Sequence, residues 1–125
     1  MFKFAGKRPT NLGVKDGKLA PCPGTPNCVN SQSQDSQSRI EPLPAVAIAD
    51  VKKLLESMER TEIIEETENY LYAEFTSKLM GYVDDVEFYF NQDENVIHVR
   101  SASRLGKSDL GANRKRIEDI RAKLK

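Results

Sequence analysis

The feature that most constrains the fold is the alternation of apolar and polar residues through the second half of the chain. In NYLYAEFTSKLM, residues 69–80, Leu71, Ala73 and Phe75 fall on one side, with Tyr70, Tyr72, Glu74 and Thr76 on the other. In GYVDDVEFYFN, residues 81–91, Val86, Phe88 and Phe90 oppose Asp85, Glu87 and Tyr89. In VIHVRSAS, residues 96–103, Ile97 and Val99 oppose His98 and Arg100. A period of two marks strands with one face in a core, and the short connections favour antiparallel pairing. TEIIEET, residues 61–67, is a weaker fourth candidate.

Helical spacing flanks these strands. In AVAIADVKKLLESMER, residues 45–60, Val51, Leu54, Leu55 and Met58 form one stripe, and Pro44 supplies a start signal. A last helix is expected from Ser108 or Asp109, with Leu110, Ile117, Ile120 and Leu124 apolar. Asn113 and Arg114 lie on the side of that stripe and should face the sheet. The spacing therefore predicts an α+β fold: an antiparallel sheet of three to four strands, two helices packed on one face and an extended N-terminal arm. The other face would display Tyr70, Tyr72, Glu74, Asp85, Glu87, Tyr89, His98 and Arg100, with cross-strand pairs such as Glu87 and Arg100 balancing charge.

All six prolines and four of the seven glycines lie in residues 1–44, which lack periodicity. Residues 1–18 read as an arm that is mobile at its start, and 19–125 as one α+β domain. No segment has the roughly 18 apolar residues of a membrane span. The N-terminus has no apolar run of signal-peptide length either. These features predict a cytoplasmic protein, with export or membrane association left open.

The formal net charge is zero but unevenly distributed. Residues 1–49 balance at +3, residues 50–99 at −9 and residues 100–125 at +6. Internal neutralisation and a cationic patch for an anionic partner both account for this pattern. Nucleic acid is disfavoured, because the chain has no overall basic excess.

The basic stretch VRSASRLGKSDLGANRKR, residues 99–116, holds four arginines, two lysines and three serines. It runs from a strand, through a turn at Gly106, into a helix start, where free N–H groups and the helix dipole favour an anion. Arg100, Ser101, Ser103, Arg104, Lys107, Ser108, Asn113 and Arg114 are the candidate ligand-binding residues. An N-capping Asp109 would compete with a bound anion, and the glycine-lysine pattern of a P-loop is missing.

Asp84, Asp85 and Glu87 form a candidate structural salt-bridge hub. Neighbouring strand positions point to opposite faces, so Asp84 falls on the core side and needs a partner, with Arg104, Arg114 and Asn113 in reach. The lone histidine, His98, is expected in a surface network rather than as a general base. Cys22 and Cys28, in PCPGTPNC, suit a short disulfide loop or a reduced pair. Two thiols and one histidine make an incomplete metal set, so neither metal nor cofactor is expected.

The segments CPGTPNCVNSQ, IEPLP, GYVDDVEFYF and IHVRSASRLGKSDLGANRKRIEDIR resemble the bacterial and plastid family catalogued as domain of unknown function 1499. The resemblance covers roughly residues 19–124. It puts weight on Cys22, Pro26, Asn27, Cys28, Asp84, Asp85, Glu87, Arg100, Ser101, Ser103, Arg104, Gly106, Asp109, Gly111, Asn113, Arg114 and Arg116. It implies no reaction. Some members resemble membrane-attached or exported proteins.

The sequence thus favours a non-catalytic binding or assembly module that engages an anionic small molecule or an acidic protein partner. The alternatives are a small enzyme using Asp84, Arg104, Arg114 and His98, and a thiol-redox protein using Cys22 and Cys28.

Overall fold

The computed structural model describes residues 6–78, 80–106 and 111–124. The chain is α+β, with strands β1 (Cys28–Asn30), β2 (Leu43–Pro44), β3 (Thr61–Glu66), β4 (Tyr70–Thr76), β5 (Val83–Asn91) and β6 (Val96–Ser103). Helix α1 (Ile48–Glu56) lies between β2 and β3, and helix α2 (Ala112–Lys123) follows β6.

The sheet has six strands rather than three to four, in the order β1-β6-β5-β4-β3, with β2 also on β6. The pairings between these strands are antiparallel. The two additional strands have three and two residues and lie in the proline-rich third. Segments so short show no alternation. They are strands because β6 is long and offers them a free edge, β1 at Arg100–Ala102 and β2 at Val96–Ile97. The weak pattern of β3 also has a cause. Its register shifts between Ile63 and Glu65, and such a bulge breaks the period of two. Ile63 packs on the main core and Ile64 on a second, smaller cluster.

The main core unites Leu71, Ala73, Phe75, Val86, Phe88, Ile97 and Val99 from the strands with Val51 and Leu55 of α1 and Ile117 and Ile120 of α2. Helix α1 is shorter than its apolar stripe suggested. It ends at Ser57, whose hydroxyl donates to the Leu54 carbonyl at 2.6 Å. The described start of α2 is Gly111, an N-cap with φ 81°, where the left-handed backbone suits a glycine. The proposed caps Ser108 and Asp109 lie outside the described residues.

The opposite face of the sheet differs from expectation. Tyr70, Tyr72, Asp85, Glu87, His98 and Arg100 are buried there rather than displayed. The N-terminal segment lies across the tyrosines: Leu19, Leu12 and Val14 pack on Tyr70 and Tyr72. The Gly13 amide donates to Glu87 Oε2 at 2.7 Å, and Arg8 Nε donates to Glu74 Oε2 at 2.7 Å.

Candidate functional site

The two aspartates of β5 face opposite ways, as strand geometry requires. On the core side, Asp84 Oδ2 accepts from Arg116 Nη2 at 2.7 Å. Arg116 also lies over the Phe75 ring, at 4.9 Å from its centroid. The partner of Asp84 is therefore Arg116, rather than Arg104, Arg114 or Asn113. Arg116 is four residues before the buried Ile120 and three after the buried Asn113, the spacing of one helix face. That spacing was available in the sequence and would have found it.

On the other side, Asp85 accepts from Arg104 Nε at 2.9 Å and Nη2 at 2.8 Å, a two-pronged contact. Arg104 Nη2 also donates to Glu74 at 2.5 Å. Tyr72 donates to Asp85 and Tyr70 to Glu87, each at 2.5 Å. Burial first, then these carboxylates, pushes both phenol pKa values up. The hydrogen bonds that Arg104 donates to Asp85 hold its guanidinium pKa above the ordinary value. Burial opposes charge on Glu74, but hydrogen bonds from Arg8 and Arg104 outweigh it and its pKa is lowered.

Glu87 behaves oppositely, because burial dominates and raises its pKa. Its Oε1 is buried without a hydrogen-bond partner among the described residues. Arg100, its register partner on β6, offers charge rather than a hydrogen bond. Arg100 Nε instead donates to the Ala20 carbonyl at 2.8 Å, with Nη2 3.4 Å from that of Pro21. Burial lowers the Arg100 pKa.

Ser101, Ser103, Asn113 and Arg114 of the 99–116 stretch are also engaged within the chain. Ser101 donates to Asn113 Oδ1 at 2.6 Å, and Asn113 Nδ2 donates to Ser103 Oγ and to the Asn27 carbonyl, each at 3.0 Å. Arg114 grips the carbonyls of Arg39 and Gln37 at 2.9 and 3.0 Å. The six described positions among the eight proposed for ligand binding do not share one point. Arg100 and Arg104 lie on the arm side, Ser101, Ser103 and Asn113 join β6 to α2, and Arg114 reaches the 37–39 segment. Lys107 and Ser108 lie outside the described residues.

His98 contacts Ser31 Oγ through Nδ1 at 2.9 Å and Glu94 Oε1 through Nε2 at 2.8 Å. Cys22 and Cys28 are joined by a disulfide, with Cα atoms 5.7 Å apart. Among the described residues no cluster of three or more metal-ligating side chains occurs, and no helix is long and apolar enough to cross a membrane.

The arm-covered side also holds two recesses, and both border Asn11 and the disulfide loop. The smaller, about 130 Å³, is lined by Lys7, Arg100 and Arg104 but also by Asp85. The larger, about 700 Å³, lies between the arm and the 32–38 loop. Lys15 and Lys18 stand on its wall. Neither lysine forms an ion pair among the described residues. A more open groove of about 920 Å³ is bordered by Glu66, Glu68 and Phe90 and carries no cation.

A family model described as a protein of unknown function, DUF1499, matches residues 18–124. The chain belongs to the DUF1499 family. No curated protein matches it. No solved structure matches it either. The DUF1499 match begins at Lys18, so the lysine pair straddles its start. Sequence reasoning missed that pair, although Asp16-Gly17 between two lysines is a turn signal.

Proposed function

We propose that the protein is a non-catalytic binding module for a small anionic molecule, held on the arm-covered side of the sheet. The observation that carries this reading is the cleft of about 700 Å³ with Lys15 and Lys18, both exposed and unpaired among the described residues, on its wall. The volume falls in the range of small-molecule sites, which favours a small ligand over an acidic protein. The strand–turn–helix arginines keep a role in this reading. Arg100 fixes the carbonyls of Ala20 and Pro21, two residues of the cleft wall.

The absence of catalysis in this reading follows from the state of the reactive groups. A general acid or base needs freedom to exchange its proton with a substrate. His98, Asp84 and Asp85 are each held by structural partners, and the cysteines are bonded to each other.

Equilibrium titration with citrate and inorganic phosphate, at low and high salt, tests the reading. Binding should weaken with salt and be lost in the Lys15→Ala/Lys18→Ala double variant, with the denaturation midpoint unchanged. Binding that ignores both the salt and the double substitution would overturn it.

A further inference from the structure

We infer that the ligand of this cleft is a phosphorylated polyol, its phosphate on the lysine pair and its hydroxyls on the amide side chains of the wall. The inference rests on the anion-binding reading above and deepens it. The lysine pair is preorganised by the backbone. Lys15 and Lys18 exchange both main-chain hydrogen bonds, at 2.9 and 3.0 Å, across a two-residue turn. Asp16 and Gly17 take φ values of 53° and 75°, the positive pair of a type I′ turn. Residues that exchange both bonds lie directly opposite and project to the same side, so two ammonium groups share one wall. Two adjacent cations match a doubly charged phosphate better than a single carboxylate.

The rest of the wall holds one carboxylate, the exposed Asp35, and is otherwise rich in amides and hydroxyls. Asn30 donates to the Ala20 carbonyl at 2.9 Å and accepts from the Gln32 amide at 2.7 Å. Gln32 accepts from the Leu19 amide at 2.9 Å and donates to the Gly17 carbonyl at 3.0 Å. Each side chain is thus locked at both ends. Asn30 is buried and braces the wall, whereas the partly exposed Gln32 still has one N–H and one lone pair beyond these bonds. A rigid amide with a spare donor and a spare acceptor suits a hydroxyl group, which both gives and takes a hydrogen bond. Asn11, exposed and with no hydrogen bond of its side chain in the described structure, and the exposed Gln34 add two more amides.

The test is a titration of the full chain with glucose 6-phosphate, inorganic phosphate and glucose, and with vesicles of phosphatidylinositol 4-phosphate in phosphatidylcholine. Glucose 6-phosphate should bind at least tenfold tighter than either phosphate or glucose. Lys15→Ala/Lys18→Ala should abolish that binding. Asn11→Ala should weaken glucose 6-phosphate about fivefold, the worth of one hydrogen bond, and leave phosphate unchanged. Vesicle binding without glucose 6-phosphate binding would support the same chemistry with a lipid headgroup as its source. If phosphate binds as tightly as glucose 6-phosphate, the polyol inference fails and the anionic reading stands. If glucose binds as tightly, and the lysine substitutions change nothing, the anionic reading fails as well.

Discussion

Asp84 on β5 and Arg116 on α2 form the ion pair that ties the last helix to the central strand, with Nη2 to Oδ2 at 2.7 Å. The same guanidinium donates to Ser101 Oγ at 3.1 Å and Asn113 Oδ1 at 2.7 Å, and it covers Phe75. Both partners are mostly shielded from water, so removing one leaves the other poorly solvated. Arg116→Ala should cost about 2–3 kcal/mol in urea denaturation. Asp84→Asn should cost less, because its amide oxygen can still accept. The double variant should cost less than the sum of the two, which would identify a direct coupling.

Arg104 is the corresponding clamp on the arm side. Truncating it to alanine would strip the two-pronged donor from the almost fully buried Asp85 and one of two arginine donors from Glu74. The expected loss is about 3 kcal/mol. Arg104→Lys should recover only part of it, since a point charge cannot reproduce the two-pronged contact. Urea denaturation of both variants checks this. Wild-type stability for the alanine variant would mean that the contact is not structural.

Much of this arrangement can be traced to the sequence, and the exceptions have physical causes. The alternation in 69–103 is strong because β4, β5 and β6 each carry one face in a continuous core, so three strands and their order follow from pattern alone. The split of Asp84 from Asp85 follows from strand geometry. β1 and β2 could not be read, because a strand of two or three residues is defined by its neighbour and not by its own composition. The burial of the tyrosine face was hidden for a similar reason. Leu12, Val14 and Leu19 look like scattered apolar residues in a glycine-rich arm until the sheet gives them something to cover. The arginines were legible as charge but not as function. Arg100, Arg114 and Arg121 bind backbone carbonyls of the irregular 20–42 segment, and carbonyl partners leave no mark in the sequence.

The disulfide should contribute about 2 kcal/mol, the chain-entropy value for so short a loop. Cys22→Ser/Cys28→Ser, or reduction by dithiothreitol, should lower the Tm by about 5–10 °C. The loop that the bond closes also contains Asn27, whose Nδ2 donates to the Gly106 carbonyl at 2.7 Å. Loss of the bond should therefore speed amide exchange at Cys28 and Ser103, where the loop meets β6. Scanning calorimetry with hydrogen exchange measures both. A Tm unchanged on reduction would show that Asn27 and its partners hold the loop unaided.

Glu74 and Glu87 should shape the pH dependence of stability in opposite directions. Glu74 has a folded pKa below its ordinary value of 4.5 because Arg8 and Arg104 outweigh its burial. The unfolded chain protonates it first as pH falls, so its contribution is present above pH 4.5 and is lost through the lowered pKa. Glu87 has a folded pKa above its ordinary 4.5 because burial outweighs Tyr70 and Gly13. The folded chain then holds the Glu87 proton after the unfolded chain has released it. Stability therefore falls as pH rises from 4.5 to the raised value, and the cost is complete above it. Glu74→Gln should flatten the acid limb of a urea-midpoint profile taken from about pH 3 to pH 8. Glu87→Gln should remove the decline above pH 4.5, since its amide oxygen can still accept from Tyr70 and Gly13. A Glu87→Gln profile that still fell there like that of the wild type would show that the buried carboxylate does not set the slope.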